Sequence, residues 1–252
     1  MTNQLLFYKK AVPISNEAHR KTAIRSDGSY GFAREVNSVP LVAAEFRPMA
    51  GDGTIVFAGS GEAVVPVVIL GLTQSENLFI DEDGQWTGRY IPAFIRRYPF
   101  VFAASADGKN LTLCIDEAYE GLNQNGEGEH LFDSRGERTS YLEGVLTFAR
   151  DYQAQFVRTQ AFCKRLMELD LLEPMHAEFR TSGGKTGRLN GFLAVNRDKL
   201  KALPDETLGQ MARSDELELL YVHLQSLQNL QTLLNRIVEV PAEEQPEAEP
   251  VA

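Results

Sequence analysis

The hydrophobic positions follow two different periods in the two halves of the chain. In the first half, short runs rich in Val, Ile and Phe alternate with Gly, Pro and Asp, a pattern typical of short strands joined by turns. Pro66 indicates that the second of these strands pairs only from Val67 or lies at an edge. One short helix is predicted after Ser38, with Pro40 in its first turn and Pro48 at its end. The predicted strands are 54–58, 64–70, 78–80, 100–104 and 111–115.

The second half follows the helical period. Ser140-x-x-Glu143 has the form of a capping box, and after it apolar residues recur at intervals of three and four, interrupted only by Thr159. This spacing predicts one amphipathic helix that reaches Leu169. At 1.5 Å per residue the helix would be about 45 Å long. A helix of that length is expected to lie across a sheet or to project into an oligomer.

Three further elements follow the long helix. A β-hairpin is predicted from strands 177–181 and 188–195, because the turn between them is rich in glycine. Two helices come next, with Asp205 and Ser214 as their expected N-caps. The last helix carries an apolar stripe that runs from Leu217 to Leu234.

These elements predict an α+β fold. The N-terminal half would hold short, mainly antiparallel strands and a short helix, and the C-terminal half the long amphipathic helix, the hairpin and two further helices. Residues 1–238 are expected to form one domain. Residues 239–252 are rich in Glu, Pro and Ala, so we expect a disordered acidic tail there.

Charge narrows the classes of partner. The 252 residues carry a formal net charge of −10, and five of the acidic residues lie in 239–252. A mildly acidic domain lacks the electrostatic footprint of a nucleic-acid binder. No run approaches the roughly 20 apolar residues that span a bilayer, and the N-terminus lacks the charge order of a secretory signal. The expectation is a soluble cytoplasmic protein without a nucleic-acid partner or a membrane span.

Some local patterns resemble functional signatures without completing them. Gly184-Lys185-Thr186 looks like the end of a phosphate-binding loop, but Phe179 stands where the first glycine is required and a strand follows. A turn is the better interpretation. Cys114 and Cys163 both lie in apolar surroundings, which favours buried thiols over a disulfide.

A metal site is the sharpest enzymatic hypothesis. His176-x-Glu178 places two ligand side chains on one face of a strand, and His223 could complete a site of two histidines and one carboxylate. His223 also flanks the apolar stripe of the last helix, where a hydrogen-bonded structural histidine is common. We therefore expect no metal and no cofactor, and keep His176, Glu178 and His223 as the alternative.

The densest chemical pattern is the segment from Trp86 to Phe100, where three arginines interleave with five aromatic residues. Arginines beside aromatic faces bind carboxylates or phosphates, but the same composition also serves as packed scaffold, and the scaffold is favoured. Glu45 lies in an apolar run, so its carboxylate is expected either to be exposed to solvent or to pair with a cation from this segment. Solvent exposure is the favoured expectation. The candidate ligand-binding residues are Arg89, Tyr90, Arg96, Arg97 and Glu45.

The same segment carries a family resemblance. The string from Arg89 to Phe100, together with His19-Arg20-Lys21 and the terminal His223-Leu224-x-Ser226-Leu227, resembles the SapC family over about residues 5–237. That family is named for association with bacterial surface layers. The resemblance implies a bacterial accessory protein that reaches the cell surface by a signal-independent route, and it supplies no catalytic residues.

The sequence therefore favours a non-enzymatic accessory or protein-interaction protein. Its expected partners are other proteins, or a second copy bound through the long helix of 140–169, and a small anionic ligand. The alternative is a small-molecule enzyme or binding protein with an anion site at Arg89, Arg96 and Arg97 or with the metal site described above. The two hypotheses differ in whether the arginines and Glu45 line one concave pocket.

Overall fold

The computed structural model describes residues 6–105, 110–180 and 186–236. The acidic tail at 239–252 and most of the glycine-rich turn, residues 181–185, lie outside the described residues. The strands are β1 Ala11–Pro13, β2 Ala23–Ile24, β3 Ser38–Pro40, β4 Thr54–Ala58, β5 Val65–Ile69, β6 Phe100–Ala104, β7 Leu111–Asp116, β8 Leu122–Asn123, β9 Glu129–His130, β10 Leu172–Arg180 and β11 Thr186–Val195. The helices are α1 Asn16–His19, α2 Phe46–Met49, α3 Ala93–Arg96, α4 Ser140–Glu168, α5 Arg197–Lys201, α6 Asp205–Arg213, α7 Glu216–Ser226 and α8 Asn229–Leu234.

The described strands form three antiparallel sheets. The largest has the order β10-β11-β4-β5-β3, and two three-stranded sheets have the orders β1-β7-β6 and β8-β2-β9. With the long helix α4 and the helices that follow β11, this arrangement confirms the predicted α+β class. Strands β4 and β5 lie at the centre of the largest sheet and are buried almost throughout, which explains their continuous apolar sequence.

Pro66 is accommodated differently from the prediction. It pairs with Phe57 of β4, and that pairing continues to Val65, so β5 pairs from before the proline on this side. On the other side, β3 begins to pair with β5 only at Val67. The missing amide hydrogen of Pro66 therefore limits the pairing of β5 with β3 but not its pairing with β4.

Helix α4 connects the two hydrophobic cores. Leu142 and Leu146 pack into the smaller core, whereas Phe156 and Leu166 pack into the larger one. Its N-cap is Thr139, whose Oγ1 accepts a hydrogen bond of 3.3 Å from the Leu142 amide, so the predicted Ser140 cap is wrong by one residue. The helix lies across the fold, as one of the two expectations had it.

Several other local predictions are wrong. The described residues 78–80 form no strand, although Ile80 makes an isolated bridge with Trp86. The helix expected after Ser38 is instead strand β3 followed by a 3-10 turn, Ala43–Glu45, and α2, so Pro48 lies inside a helix of four residues. That position is tolerated because the first turn of a helix needs no amide donor from it.

The C-terminal helices also begin differently. Pro204 and Asp215 precede α6 and α7, and neither makes a side-chain cap. Asp215 has a φ of 62°, a left-handed conformation that turns the chain sharply between the helices. The apolar stripe predicted for one helix is divided between α7 and α8. The prediction of two buried, unbridged cysteines is confirmed.

Two side chains of α7, His223 and Ser226, join the helix to the central sheet; we call this pair the α7 clamp. His223 Nδ1 lies 2.9 Å from the carbonyl oxygen of Ile55, and its Nε2 accepts a 3.0 Å bond from the Val195 amide. Ser226 Oγ accepts a 3.0 Å bond from the Ile55 amide. Strands β4 and β11 pair directly only at two positions. The clamp therefore satisfies backbone groups that the sheet leaves unpaired.

The clamp predicts a specific pH dependence of stability. Burial lowers the pKa of His223 to about 4, below the value of about 6.5 expected in the unfolded chain. The unfolded state binds more protons between these two values, so stability is present above pH 6.5 and is lost as pH falls toward 4. Denaturant unfolding at pH 7 and pH 5 should show a loss of about 2 kcal/mol from this group.

The matched variants are His223→Gln and, at an exposed histidine, His130→Gln. His223→Gln should be less stable at pH 7 and should lack this part of the pH dependence, whereas His130→Gln should retain it. Equal pH dependence in the two variants would show that His223 is not the titrating group.

Candidate functional site

The arginine–aromatic segment folds around one short helix. Pro92 has an extended backbone (φ −53°, ψ 138°) and stands directly before α3, where its missing amide costs nothing. Trp86 Nε1 donates a 3.0 Å bond to the carbonyl oxygen of Tyr90 and closes the loop that leads to this helix. The helix ends after one turn at Arg96, and the chain continues into β6. Arg96 and Arg97 therefore stand at a corner between a helix and a strand.

Glu45 is buried against this corner. The favoured expectation of solvent exposure is wrong, because the residue is 4% exposed. Its Oε1 accepts hydrogen bonds from the Tyr90 hydroxyl at 2.9 Å and from the Ala93 amide at 2.6 Å. Its Oε2 accepts a 3.1 Å bond from the amide of Val42. The carboxylate thus joins the 3-10 turn to the first residue of α3.

Opposing effects act on the pKa of the Glu45 carboxyl group. Burial raises the pKa of Glu45, while its hydrogen bonds with Ala93, Val42 and Tyr90 and the charge of Arg96 act to lower it. Burial, aided by the Glu45 charge, raises the pKa of Tyr90 to about 12. The Tyr90 hydroxyl therefore keeps its proton at neutral pH and donates a hydrogen bond to Glu45.

Arg96 is held by the same hydroxyl. Its Nη2 donates a 3.1 Å bond to Tyr90 Oη, and its Nε donates a 3.0 Å bond to the Ile91 carbonyl oxygen. The guanidinium carbon lies 5.6 Å from the ring centroid of Tyr90 and 5.3 Å from that of Phe148. These contacts orient an exposed cation between two aromatic rings.

The remaining two arginines have different environments. Arg97 is 6% exposed, and its guanidinium carbon lies 4.1 Å from the ring centroid of Phe94 and 5.0 Å from that of Tyr152. Arg89 is exposed, and its hydrogen bond to Asp52 comes from the backbone amide, at 2.8 Å. Arg97 therefore packs among aromatic rings in the same corner as Arg96, whereas Arg89 lies outside that corner.

A cavity of about 450 Å³ lies between this corner and the N-terminal half of α4; we call it the Arg96 cavity. Arg96 and Arg97 form its cationic part, and aromatic and aliphatic side chains form most of the rest. Burial raises the pKa of Tyr141 to about 12, so this lining phenol is neutral. The lining residues are Arg96, Arg97, Tyr98, Phe100, Ser140, Tyr141, Gly144, Val145, Phe148 and Ala149.

Of the three arginines and Glu45, two line the cavity and two do not. Arg96 and Arg97 line one concave pocket, and Glu45 and Tyr90 lie behind Arg96 as its support. Sequence reasoning missed the opposite wall on α4, although the helical spacing of 140, 144 and 148 places these residues on one face. A glycine inside a helix, Gly144, was the available signal.

The alternative metal ligands are not brought together. His176 is exposed, with Nδ1 3.3 Å from Asn190 Oδ1, and Glu178 lies 3.9 Å from Arg188 Nε. His223 has both ring nitrogens engaged by the clamp. It contacts β11 at Val195, whose partner on β10 is Leu172, four residues or about 13 Å from His176. Within the described ranges, no three His, Cys, Asp or Glu side chains could hold a metal ion.

The molecule is thus an α+β protein with a cationic and aromatic corner that faces a long helix. Comparison with protein families agrees with the resemblance seen in the sequence. The SapC family model matches residues 14–233, so the chain belongs to the SapC family. No curated protein and no solved structure matches the chain. Among the residues that the structure describes, no helix has the length and hydrophobicity needed to cross a membrane.

Removing the Glu45 carboxylate should weaken the fold. Glu45→Ala leaves the amides of Val42 and Ala93 and the Tyr90 hydroxyl without their acceptor in a buried place, so we expect a loss on the order of 3 kcal/mol in the free energy of unfolding. Glu45→Gln should lose less, because its amide oxygen still accepts two of these bonds. Urea denaturation measures both, with the exposed Glu35→Ala as control. Equal stability of Glu45→Ala and Glu35→Ala would contradict the supporting role.

Proposed function

We propose that the protein is a non-enzymatic binding protein that holds a small amphipathic anion in the Arg96 cavity. The ligand would have a carboxylate or phosphate group at the arginine end and an apolar part along α4. The volume of the Arg96 cavity, about 450 Å³, lies within the range of roughly 300–1,000 Å³ that is common for ligand sites. The observation that carries the proposal is that the oriented guanidinium of Arg96 lies beside the apolar wall formed by α4.

The arginine end suits an anion because Arg96 is already positioned. Its Nε and Nη2 are engaged by Ile91 and Tyr90, while Nη1 has no hydrogen-bond partner among the described residues. The rings of Tyr90 and Phe148 restrict the side chain, so little rotamer freedom remains to be lost when a ligand binds. A carboxylate at Nη1 would form a charge-assisted hydrogen bond at a site partly shielded from water.

The α4 wall suits an apolar group. Val145, Phe148 and Ala149 face the cavity, and Gly144 lies on the same face, one turn before Phe148. A Cβ atom built on Gly144 meets nothing within 4 Å, so neither packing nor backbone conformation requires glycine there. Glycine inside a helix costs about 1 kcal/mol relative to alanine. The cost is explained if the empty space serves to admit a ligand.

The composition of the lining favours binding over catalysis. None of the described lining residues is a histidine, cysteine, aspartate or glutamate, which are the usual general bases and nucleophiles. The hydroxyl groups present belong to Ser140, Tyr98 and Tyr141. Burial raises the pKa of both tyrosines, so they serve as neutral hydrogen-bond donors.

The cellular role is proposed from family membership. The name of the SapC family supports an accessory role at the bacterial surface layer or envelope, with other proteins or a second copy as partners. Export by a signal-independent route is part of this proposal. Ligand binding in the Arg96 cavity would then regulate or accompany those contacts rather than turn over a substrate.

Isothermal titration calorimetry with octanoate tests the binding function. Octanoate carries both features of the proposed ligand, whereas octanol lacks the charge and acetate lacks the apolar chain. We expect saturable binding of octanoate and at least tenfold weaker binding of the other two, because each loses one end of the site. Equal binding of octanol and octanoate would show that Arg96 does not recognise the anion.

Three variants locate the site. Arg96→Gln removes the cation and Gly144→Leu fills the open space, so both should weaken octanoate binding at least tenfold while the proteins stay folded. Arg89→Gln removes the same charge from outside the cavity and should bind like the original protein. Retained binding in Gly144→Leu, or equal losses in the two arginine variants, would contradict the assignment.

A further inference from the structure

A second cavity, of about 350 Å³, lies beside α1 and between the ends of β7 and β8. It shares no lining residue with the Arg96 cavity and has a different chemistry, with one cation, one carboxylate and several neutral polar side chains. We call it the His19 cavity. Its polar lining residues are Lys10, His19, Thr22, Glu117, Asn123 and Gln124.

His19 is the unusual member of this set. It is 4% exposed, and its Nδ1 accepts a 3.3 Å hydrogen bond from the Ser15 amide. In the neutral imidazole the proton therefore resides on Nε2. Nε2 has no hydrogen-bond partner among the described residues, and a buried donor without an acceptor is unfavourable.

The nearest acceptor is the carboxylate of Glu117. Its Oε1 lies 3.9 Å from His19 Nε2, too far for a hydrogen bond. Its Oε2 lies 2.7 Å from Lys10 Nζ, and this hydrogen bond lowers the pKa of Glu117, so the carboxylate is charged at neutral pH. The cavity thus holds a donor and an acceptor that face each other without bonding.

We propose that the His19 cavity binds a neutral polyhydroxy ligand, a sugar, through one hydroxyl inserted between His19 Nε2 and Glu117 Oε1. A hydroxyl both accepts and donates, so it would accept from Nε2–H and donate to Oε1. With two bonds of about 2.8 Å at the tetrahedral angle, those atoms would lie about 4.6 Å apart. The carboxylate needs to shift by only about 0.7 Å.

That shift is permitted by the position of Glu117. Its side chain is 37% exposed and its partner Lys10 is 68% exposed, so their ion pair is screened by water and rearranges at little cost. The same shift uncovers Nε2, which the present arrangement closes off from solvent. Lys10 Nζ then lies beside the inserted hydroxyl and can donate to a neighbouring hydroxyl of the same ring.

The charge balance selects a neutral ligand over an anion. A phosphate or carboxylate at His19 Nε2 would lie against the negatively charged carboxylate of Glu117. Lys10 is already paired with Glu117, so the cavity holds no surplus positive charge to attract an anion. Adjacent ring hydroxyls instead match the alternation of donor, acceptor and donor formed by His19, Glu117 and Lys10. Sugars occur free and as the ends of glycan chains, and the two sources share this chemistry.

Nuclear magnetic resonance of the imidazole ¹⁵N signals of His19 tests the proposal. The probes are D-glucose, D-mannose and N-acetyl-D-glucosamine as free sugars, the trisaccharide chitotriose as a glycan end, and inorganic phosphate as the anion. We expect saturable shifts of the His19 signals with at least one sugar at millimolar concentrations and none with phosphate. Saturation by chitotriose alone would assign a glycan end, and saturation by a monosaccharide a free sugar.

Three variants make the result specific. Glu117→Ala and Lys10→Ala alter exposed side chains, so both should fold, and both should weaken the sugar at least tenfold. Glu120→Ala removes the same charge three residues away, outside the cavity, and should leave binding unchanged. Absence of any saturable sugar shift, retained binding in Glu117→Ala, or saturation by phosphate would each overturn the proposal.

Discussion

The buried carboxylate of Glu45 is the constraint from which the geometry of the Arg96 cavity follows. An ionised carboxylate is stable in a buried place only when donors surround it, and the donors here come from the Val42 and Ala93 amides and the Tyr90 hydroxyl. Because Ala93 begins α3, the carboxylate fixes where that helix starts. Because Tyr90 also accepts from Arg96, the carboxylate fixes where the exposed guanidinium lies.

The opposite wall of the cavity is held to the same turn. Thr159, the polar interruption in the apolar face of α4, is 1% exposed. Its Oγ1 accepts a 2.9 Å bond from the Ala43 amide and donates a 2.8 Å bond to the Gln155 carbonyl oxygen. The 3-10 turn that carries Glu45 is therefore bonded to both α3 and α4. This turn therefore helps to position α4 relative to α3, together with the contacts of Arg96 with Phe148 and of Arg97 with Tyr152.

Asp116 and the α7 clamp repeat this use of buried polar groups. The Asp116 carboxylate is fully buried, and it accepts bonds from the amides of Lys9 and Lys10 at 2.9 and 2.8 Å. It also accepts a 3.3 Å bond from the Tyr98 hydroxyl. Since Lys10 lines the His19 cavity and Tyr98 lines the Arg96 cavity, one carboxylate positions a wall of each. Short strands leave backbone amides unpaired, and these side chains satisfy them.

The sequence predicted what periodicity and composition determine. The Val-, Ile- and Phe-rich runs of the first half and the helical spacing of α4 identified the fold class, and the arginine–aromatic string contains the two arginines that line the Arg96 cavity. Long-range contacts were not predictable, because Glu45 and Ala93 are 48 residues apart and Ile55 and His223 are 168 apart. The predicted N-caps are each displaced by one residue. Thr139 and Ser140, for example, have similar capping propensities, and only the backbone conformation separates them.

The most direct test of the account is a crystal structure of the protein grown with 6-bromohexanoate, whose bromine marks the apolar end by anomalous scattering. We expect a bromine peak against Val145 and Phe148, with the carboxylate within hydrogen-bond distance of Arg96 and the Glu45–Tyr90 contact unchanged. A ligand bound with its bromine toward Arg96, or an empty cavity at saturating ligand with bromine elsewhere, would contradict it.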